Sequence, residues 1–588
     1  MIDKTGPMTT TSRGYAALAG ITAAAVAIGA AEPVAVLTGA RSAPLIAVGG
    51  LVVDVVPAPL KQFAIAVFGT YDKIALLVGT AVLLGAFAAA LGVLAARRLG
   101  IGLAGIAAFA ALGVAAALTR AGANLFDALP SLVGGALGAL ALWLLLAGPL
   151  QPQLWSWSPA APAAPPVPPG REPSPEASER RPVEPSGPVE PAAAAARSAE
   201  PAVSEARPVE RAAPEARPIE AAVPPAPGRD EVDPEGRRRF LTGVGTLLGA
   251  AAVAGLGGHW LAGRRGVSAA RRAVALPTPS AAAPAVPAGA DLSLAQLAPY
   301  VTPTSGFYRI DTALVVPQVD PATWRLRIHG RVRREIELSF DDLLARPMVE
   351  RYVTLACVSN DVGGDLIGNA RWLGVPIKEL LDEAGPEEGA DQVVGRSVDG
   401  WTCGTPTAVL RDGRDALLAV GMNGEPLPVE HGFPVRMVVP GLYGYVSACK
   451  WVTELELTSF ADFDAYWVPR GWSAQGPIKT QSRIDAPRPR NRLTAGPVMV
   501  AGVAWAQHRG IRKVEVRVDG GPWREATLAP TVSVDTWVQW SWRWDATPGE
   551  HTLQVRATDA DGVTQTPQRR PVEPDGATGW HSVSVTVR

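Results

Sequence analysis

Long apolar runs separated by short polar breaks fill the first 150 residues, whereas the last hundred residues alternate apolar and polar positions with period two. The run 74–96, IALLVGTAVLLGAFAAALGVLAA, reaches the roughly 20 residues that a helix needs to cross a bilayer. Runs at about 15–31, 100–119 and 128–148 predict three further spans. The run 43–58 is shorter and carries Asp54, which predicts a re-entrant or interfacial segment. A fifth span is predicted within 237–262, which opens RRRFLTGVGTLLG. Near the other end, KVEVRVDGGPWREATL alternates across an Asp-Gly-Gly turn, and HTLQVRATDADGV and HSVSVTVR read likewise, so strands and a β-sandwich are expected there. Trp537, Trp540, Trp542 and Trp544 read as sandwich core or dimer interface rather than as a docking patch.

Composition changes between the apolar runs. Residues 151–236 are rich in Pro, Ala, Glu and Arg, with near-repeats EARPVE and EARPIE. Such a segment lacks the apolar surface to offset ordering entropy, so a disordered linker is expected, serving as a spacer or as a docking tail. The net charge of −1 over 588 residues gives no overall pull toward nucleic acid. The segment beginning RRRFL reads either as an internal twin-arginine export signal or as an ordinary span with a positive flank. Both readings leave Arg237 to Arg239 in the cytoplasm and put the chain beyond residue 262 outside. With four earlier spans and Lys4 and Arg13 inside, Arg97 and Arg98 also fall on the cytoplasmic side.

Candidate chemistry narrows the picture further. The six histidines stand at 259, 329, 431, 508, 551 and 581, so the N-terminal spans cannot supply a bis-His haem site. No haem is expected in this chain, and electrons must reach a separate carrier or the quinone pool. The three cysteines, Cys357, Cys403 and Cys449, show no CxxC spacing, which argues against a zinc site or redox dithiol. Cys403 and Cys449 read as buried apolar residues. An odd count outside the cell leaves at least one thiol with another task.

Cys357 sits in TLACVSNDVGGDLIGNARWLGVPIKELL, preceded by FYRIDTALVVPQVDPATWRLRIHGRV and followed by MNGEPLPVEHGFPVRMVVPGLYGYVSACKWVTELEL. From about Ser305 to Arg588 these segments resemble the sulfite oxidase family of molybdopterin enzymes, with HGFPVR followed by KW as the most specific match. The resemblance implies an α/β molybdopterin domain followed by an immunoglobulin-like β-sandwich that mediates homodimerisation or caps the catalytic domain. By that resemblance Cys357 supplies a thiolate to molybdenum beside a single molybdopterin. Soft sulfur donors suit a redox-active metal. His431, Arg436 and Lys450 match cofactor contacts, the cations serving a phosphate. Arg309 matches an arginine near the metal, and Asp311 stands where relatives carry histidine. Asp399 reads either as a pterin contact or as a turn-former.

The loop after Cys357 departs from the sulfite-oxidising pattern. Asn360, Asp361 and Val362 stand where arginine is expected, so Asp361 is expected to face the substrate and oppose an anion. The active-site tyrosine of the family does not align, Tyr466 lying a few residues away. Weak sulfite oxidation is therefore expected, with better activity on a neutral oxygen donor such as a sulfoxide or N-oxide.

The resulting expectation is a multidomain chain. It comprises a helical membrane domain (1–150), a linker (151–236), a signal-like span (237–262), a connector (263–304), a molybdopterin-binding catalytic domain (305–485) and an immunoglobulin-like domain (486–588). The expected function is two-electron oxygen-atom transfer on a small molecule by a multi-pass membrane protein with an extracytoplasmic catalytic domain. The alternative is an exported, non-catalytic ligand-binding protein using the same fold.

Overall fold

The computed structural model describes residues 10–56, 72–120, 123–151, 234–264 and 266–588. The linker expectation therefore lies, from 152 to 233, outside the described residues. By contacts the chain divides into Met1–Gln151 with Arg239–Arg588, and a second unit, Pro152–Arg238. The first unit carries the helices, the sheets and the cavity.

Its N-terminal part is helical: α1 (Thr10–Thr38), α2 (Pro44–Val55), α3 (Asp72–Arg97), α4 (Leu99–Leu118) and α5 (Leu129–Leu146), joined by α6 (Pro234–Arg264). Among the described residues five helices are long and apolar enough to cross a membrane: α1, α3, α4, the stretch Leu125–Leu146 that contains α5, and α6. α2, at 12 residues, is too short to do so. Small residues let these helices meet at backbone distance. A Cβ on Gly20 of α1 would lie 2.0 Å from the carbonyl oxygen of Ala88 on α3, and one on Gly92 would lie 2.2 Å from that of Ala16. Phe240, which follows the arginine triplet, is buried edge-on against Tyr15 at 5.2 Å.

The middle of the chain folds into two sheets. One runs β2 (Ile336–Ser339), β1 (Arg325–Gly330), β10 (Val452–Thr458), β5 (Gln392–Ser397), β6 (Thr402–Pro406). The other runs β3 (Val349–Ala356), β4 (Ile367–Pro376), β7 (Leu417–Met422), β8 (Glu425–Pro426), with β9 (Arg436–Val438) also on β7. Strands β4, β5 and β7 are almost continuously buried, as expected where both faces are covered. Trp372 and Trp451 are fully buried, and each finds a carbonyl for its indole N–H, on Val353 at 3.1 Å and Val429 at 2.8 Å. Satisfied in this way, a large ring adds packing without leaving a desolvated donor behind.

The C-terminal part is a two-sheet sandwich. The sheets run β11 (Gln481–Ala486), β13 (Gly496–Trp505), β17 (Val538–Ala546), β16 (Thr527–Leu528), and β12 (Arg492–Leu493), β19 (His581–Val587), β18 (Gly549–Asp559), β14 (Ile511–Val518), β15 (Arg524–Glu525). β14 pairs antiparallel with β15 across the Asp-Gly-Gly segment, where Asp519 and Gly520 take positive φ. Trp540 and Trp544 are buried in the sandwich core, and Trp537 in the core it shares with the central domain. The sandwich is fixed to the central domain at β3. Thr354 donates its N–H to Asp535 O at 2.9 Å, and its hydroxyl accepts from Trp537 N at 2.8 Å.

Candidate active site

The strand ends of the central domain converge on one cavity of about 820 Å³. Cys357, immediately after β3, lines it, and its sulfur accepts from the N–H of Ser359 at 3.4 Å. His431 lies on a 3-10 turn leading into β9, where Arg436 is the first residue. Lys450 lies two residues before β10. Three segments of chain meet here because residue 432 is glycine. Its φ is +111°, and a Cβ would lie 3.0 Å from that of Arg436 and 3.1 Å from that of Lys450. A side chain would be strained there on both counts.

Seven of the eight sequence-derived site residues line this cavity: Asp311, Cys357, Asp361, Asp399, His431, Arg436 and Lys450. Asp399 is also the turn-former of the β5–β6 hairpin, accepting from Trp401 N at 3.1 Å, so its position suits both readings. Arg309 is the exception. Its Nε donates to Asp311 Oδ2 at 2.9 Å, so it stands behind a lining carboxylate and is not itself among the lining residues. Val362 also lies off the wall; only Asp361 of that pair reaches it.

The buried charges define what the cavity can hold. Asp311 Oδ2 accepts from Lys450 Nζ at 2.7 Å as well as from Arg309. Arg436 is 5% exposed. It donates to the carbonyls of His431 and Met437 at 3.1 and 3.3 Å and lies 5.0 Å over the Trp372 ring. Among the described residues no carboxylate pairs with it. A buried guanidinium without a counter-ion is costly, so this position fits an anionic ligand such as a phosphate. Burial lowers the pKa of Arg436 to about 10 and that of Lys450 to about 8, the Lys450 ammonium being held up by Asp311. Burial, then the nearby Arg436 and Lys450 charges, push His431 down to about 3, so it is neutral at pH 7. Burial raises the Cys357 thiol. A metal would have to take its proton, as soft-metal coordination does.

The wall contains groups that sequence reasoning passed over. Trp467, Arg470 and Trp472 come from YWVPRGW, and Trp401, Tyr308 and Tyr445 add further aromatic surface. Arg470 ends a 3-10 turn, Val468–Arg470, closed by Gly471 at φ +94°. Its guanidinium lies 3.7 Å over the Tyr466 ring, and its Nη1 donates to Tyr466 O at 2.5 Å. Tyr466 itself is behind Arg470 and does not line the cavity. The sandwich contributes Pro571, Val572 and Glu573 to the wall. It also pins the loop after Cys357. Arg483 donates to Gly364 O at 2.7 Å, and a Cβ on Gly363 would lie 2.2 Å from the His581 ring.

Comparison with known proteins bears on this geometry. Residues 313–467 match the family described as oxidoreductase molybdopterin binding domain, and residues 481–555 match the bacterial Ig domain. The chain is 32% identical over 272 residues to the mitochondrial sulfite oxidase of Rattus norvegicus, covering 39% of this chain and 49% of that protein. It is 34% identical over 175 residues to an uncharacterized oxidoreductase, YuiH, of Bacillus subtilis (strain 168), covering 29% of this chain and 84% of that protein. The chain thus spans about half the length of the curated sulfite oxidases it matches. Among solved structures, the sulfane dehydrogenase SoxCD from Paracoccus pantotrophus aligns at 25% identity over 49% of this chain and 81% of that one, with a TM-score of 0.44.

Proposed function

Because the chain belongs to the sulfite oxidase family of molybdopterin oxidoreductases, we propose that it oxidises a small sulfur oxyanion of the sulfite type at a molybdenum–pterin centre in this cavity. That membership sets aside the alternative of a non-catalytic binding protein. When bound, the cofactor supplies two-electron exchange coupled to transfer of an oxygen atom.

The residues divide the remaining work. Cys357 would be the protein ligand to the metal. Arg436 and Lys450 would hold the pterin phosphate, with Asp311 keeping Lys450 charged and in place. Neutral His431 and the Asp399 turn would supply polar contacts to the pterin. The aromatic wall excludes water, which strengthens every charge interaction inside.

The observation that carries the substrate reading is Arg470, a guanidinium on the cavity wall stacked on Tyr466 and so oriented in advance. It supplies the cation that the loop after Cys357 lacks. Asp361 on the same wall opposes an anion, so affinity is set by the balance of the two. The test is metal analysis of the purified chain, with about one molybdenum per chain expected, followed by steady-state oxidation of sulfite with a dye acceptor. Metal-loaded protein that reduces a sulfoxide but does not oxidise sulfite would overturn the substrate.

We also place the protein in a membrane, multi-pass, with the catalytic domain outside the cytoplasm. The five long apolar helices support this, as do the exposed Val78, Val82, Leu83 and Phe87 on α3. Export through a twin-arginine route is the reading that suits a cofactor loaded before crossing. Double Lys substitution of Arg237 and Arg238, or of Arg238 and Arg239, tests it, and normal export of those variants would overturn it.

A further inference from the structure

The short helix α2 reaches the catalytic cavity at several points. Val56, directly after it, lines the cavity wall. Arg41, shortly before it, donates Nη1 to Val398 O at 3.4 Å, in the hairpin whose Ser397, Asp399 and Trp401 line the same wall. Midway along, a Cβ on Gly49 would lie 3.2 Å from Leu314 Cδ1, close to the lining residues Ile310 to Thr312. α2 is therefore seated on two sides of the mouth. On its other side it packs through Ala47 against Ala116 and Ala117 of α4, and Arg120 donates to Ala47 O at 3.3 Å. α2 thus links a helix long enough to cross a bilayer to the rim of the cavity, where Ile310 is 47% exposed.

We propose that this rim, between α2 and residues 310–316, binds a lipid-soluble two-electron carrier of the quinone class, drawn from the bilayer. The inference rests on the oxidoreductase reading and on the proposed membrane placement. The electron count suits such a carrier: one sulfite, one water and one quinone give one sulfate and one quinol, with the two electrons and two protons of the oxidation ending on the quinol. The occupant is argued from three features. The apolar helix covers this side of the mouth with lipid-compatible surface. The rim exposes the aliphatic side chains of Ile310 and Val315, flanked by the exposed cations Arg41 and Arg309. And the first 236 residues contain no histidine to ligate a haem.

The test uses the full chain in lipid nanodiscs and a photoreactive azidoquinone with a short isoprenoid tail. Label is expected on peptides covering residues 41–56 and 310–316, competed by the unmodified quinone, in metal-free and metal-loaded protein alike. In metal-loaded protein, Gly49→Trp should lower the ratio of quinone-linked to dye-linked sulfite turnover about tenfold. Label confined to other helices overturns the site, as does an unchanged ratio in Gly49→Trp with wild-type labelling. Absence of dye-linked turnover in metal-loaded wild type overturns the oxidoreductase substrate reading instead, and leaves the labelling result to stand or fall alone.

Discussion

Asp311 holds Lys450 by a 2.7 Å ion pair in which both side chains are at most 10% exposed. The pair is the main reason the ammonium keeps a pKa of about 8 in a site whose burial lowers it. Asp311→Asn removes that support, so Lys450 should lose its proton at lower pH. Pterin retention on dialysis, read by fluorescence of the oxidised pterin, should then fail at a lower pH in the variant than in wild type. The cost in stability of breaking such a buried pair is about 3–5 kcal/mol. Equal pterin loss in both proteins between pH 7 and 9 would remove Lys450 from the phosphate site.

Arg436 predicts the opposite sign for stability. Its guanidinium is buried with carbonyls but no carboxylate of the described residues around it, so the metal-free chain bears an uncompensated charge. Arg436→Met should leave the stability of the cofactor-free protein unchanged or raise it, by up to about 1–4 kcal/mol, so that its Tm does not fall, while abolishing pterin binding. A large fall in the Tm of the cofactor-free protein would show that the carbonyl bonds, not a ligand, account for the residue.

Arg470 should act on substrate binding. Arg470→Gln is expected to raise KM for sulfite at least tenfold, about 1.4 kcal/mol, with a smaller effect on kcat, and Arg470→Lys should restore part of it. Asp361→Asn should lower KM by removing an opposing charge. Steady-state kinetics with a dye acceptor at fixed ionic strength decide both, and an unchanged KM in Arg470→Gln would remove it from the substrate path.

His581, packed on the loop after Cys357, predicts a pH dependence. Burial, then the Arg483 charge, lower its pKa to about 4, against roughly 6.5 in an unfolded chain. Between these values the unfolded state binds more protons, so stability rises with pH across the window and is lost as pH falls from 6.5 to 4. The loss attributable to this group is about 3 kcal/mol. His581→Asn, whose amide oxygen can accept from Ile484 N as Nδ1 does at 3.0 Å, should flatten that part of the profile in thermal unfolding of the detergent-solubilised chain.

Legibility of the fold and site followed the range of the interactions. The sandwich strands β14, β18 and β19 were readable because alternation and an Asp-Gly-Gly turn are local signals. Cys357, His431, Arg436 and Lys450 were readable as a group because each sits in a short segment whose neighbours are distinctive. Arg470 was not, since a single 3-10 turn with a glycine stop carries no periodicity, and nothing local says that it faces a cavity. The place of Arg309 was hidden for a related reason: its sequence position is near the site, but only the fold shows that it pairs with the lining carboxylate Asp311. The length of α2 could be read, but its seat against Val398 and Leu314 depends on contacts hundreds of residues away.

The packing of His581 and Arg483 on the loop that follows Cys357 has a consequence for the order of folding. The cysteine emerges from the ribosome more than two hundred residues before the histidine that wedges its loop. Until the last strand has been made and has paired, the cavity lacks one wall and its loop lacks its clamp. Cofactor capture is therefore expected only after the whole catalytic half has folded. A chain cut short before β19 should be born with every cofactor contact in its sequence and still emerge empty.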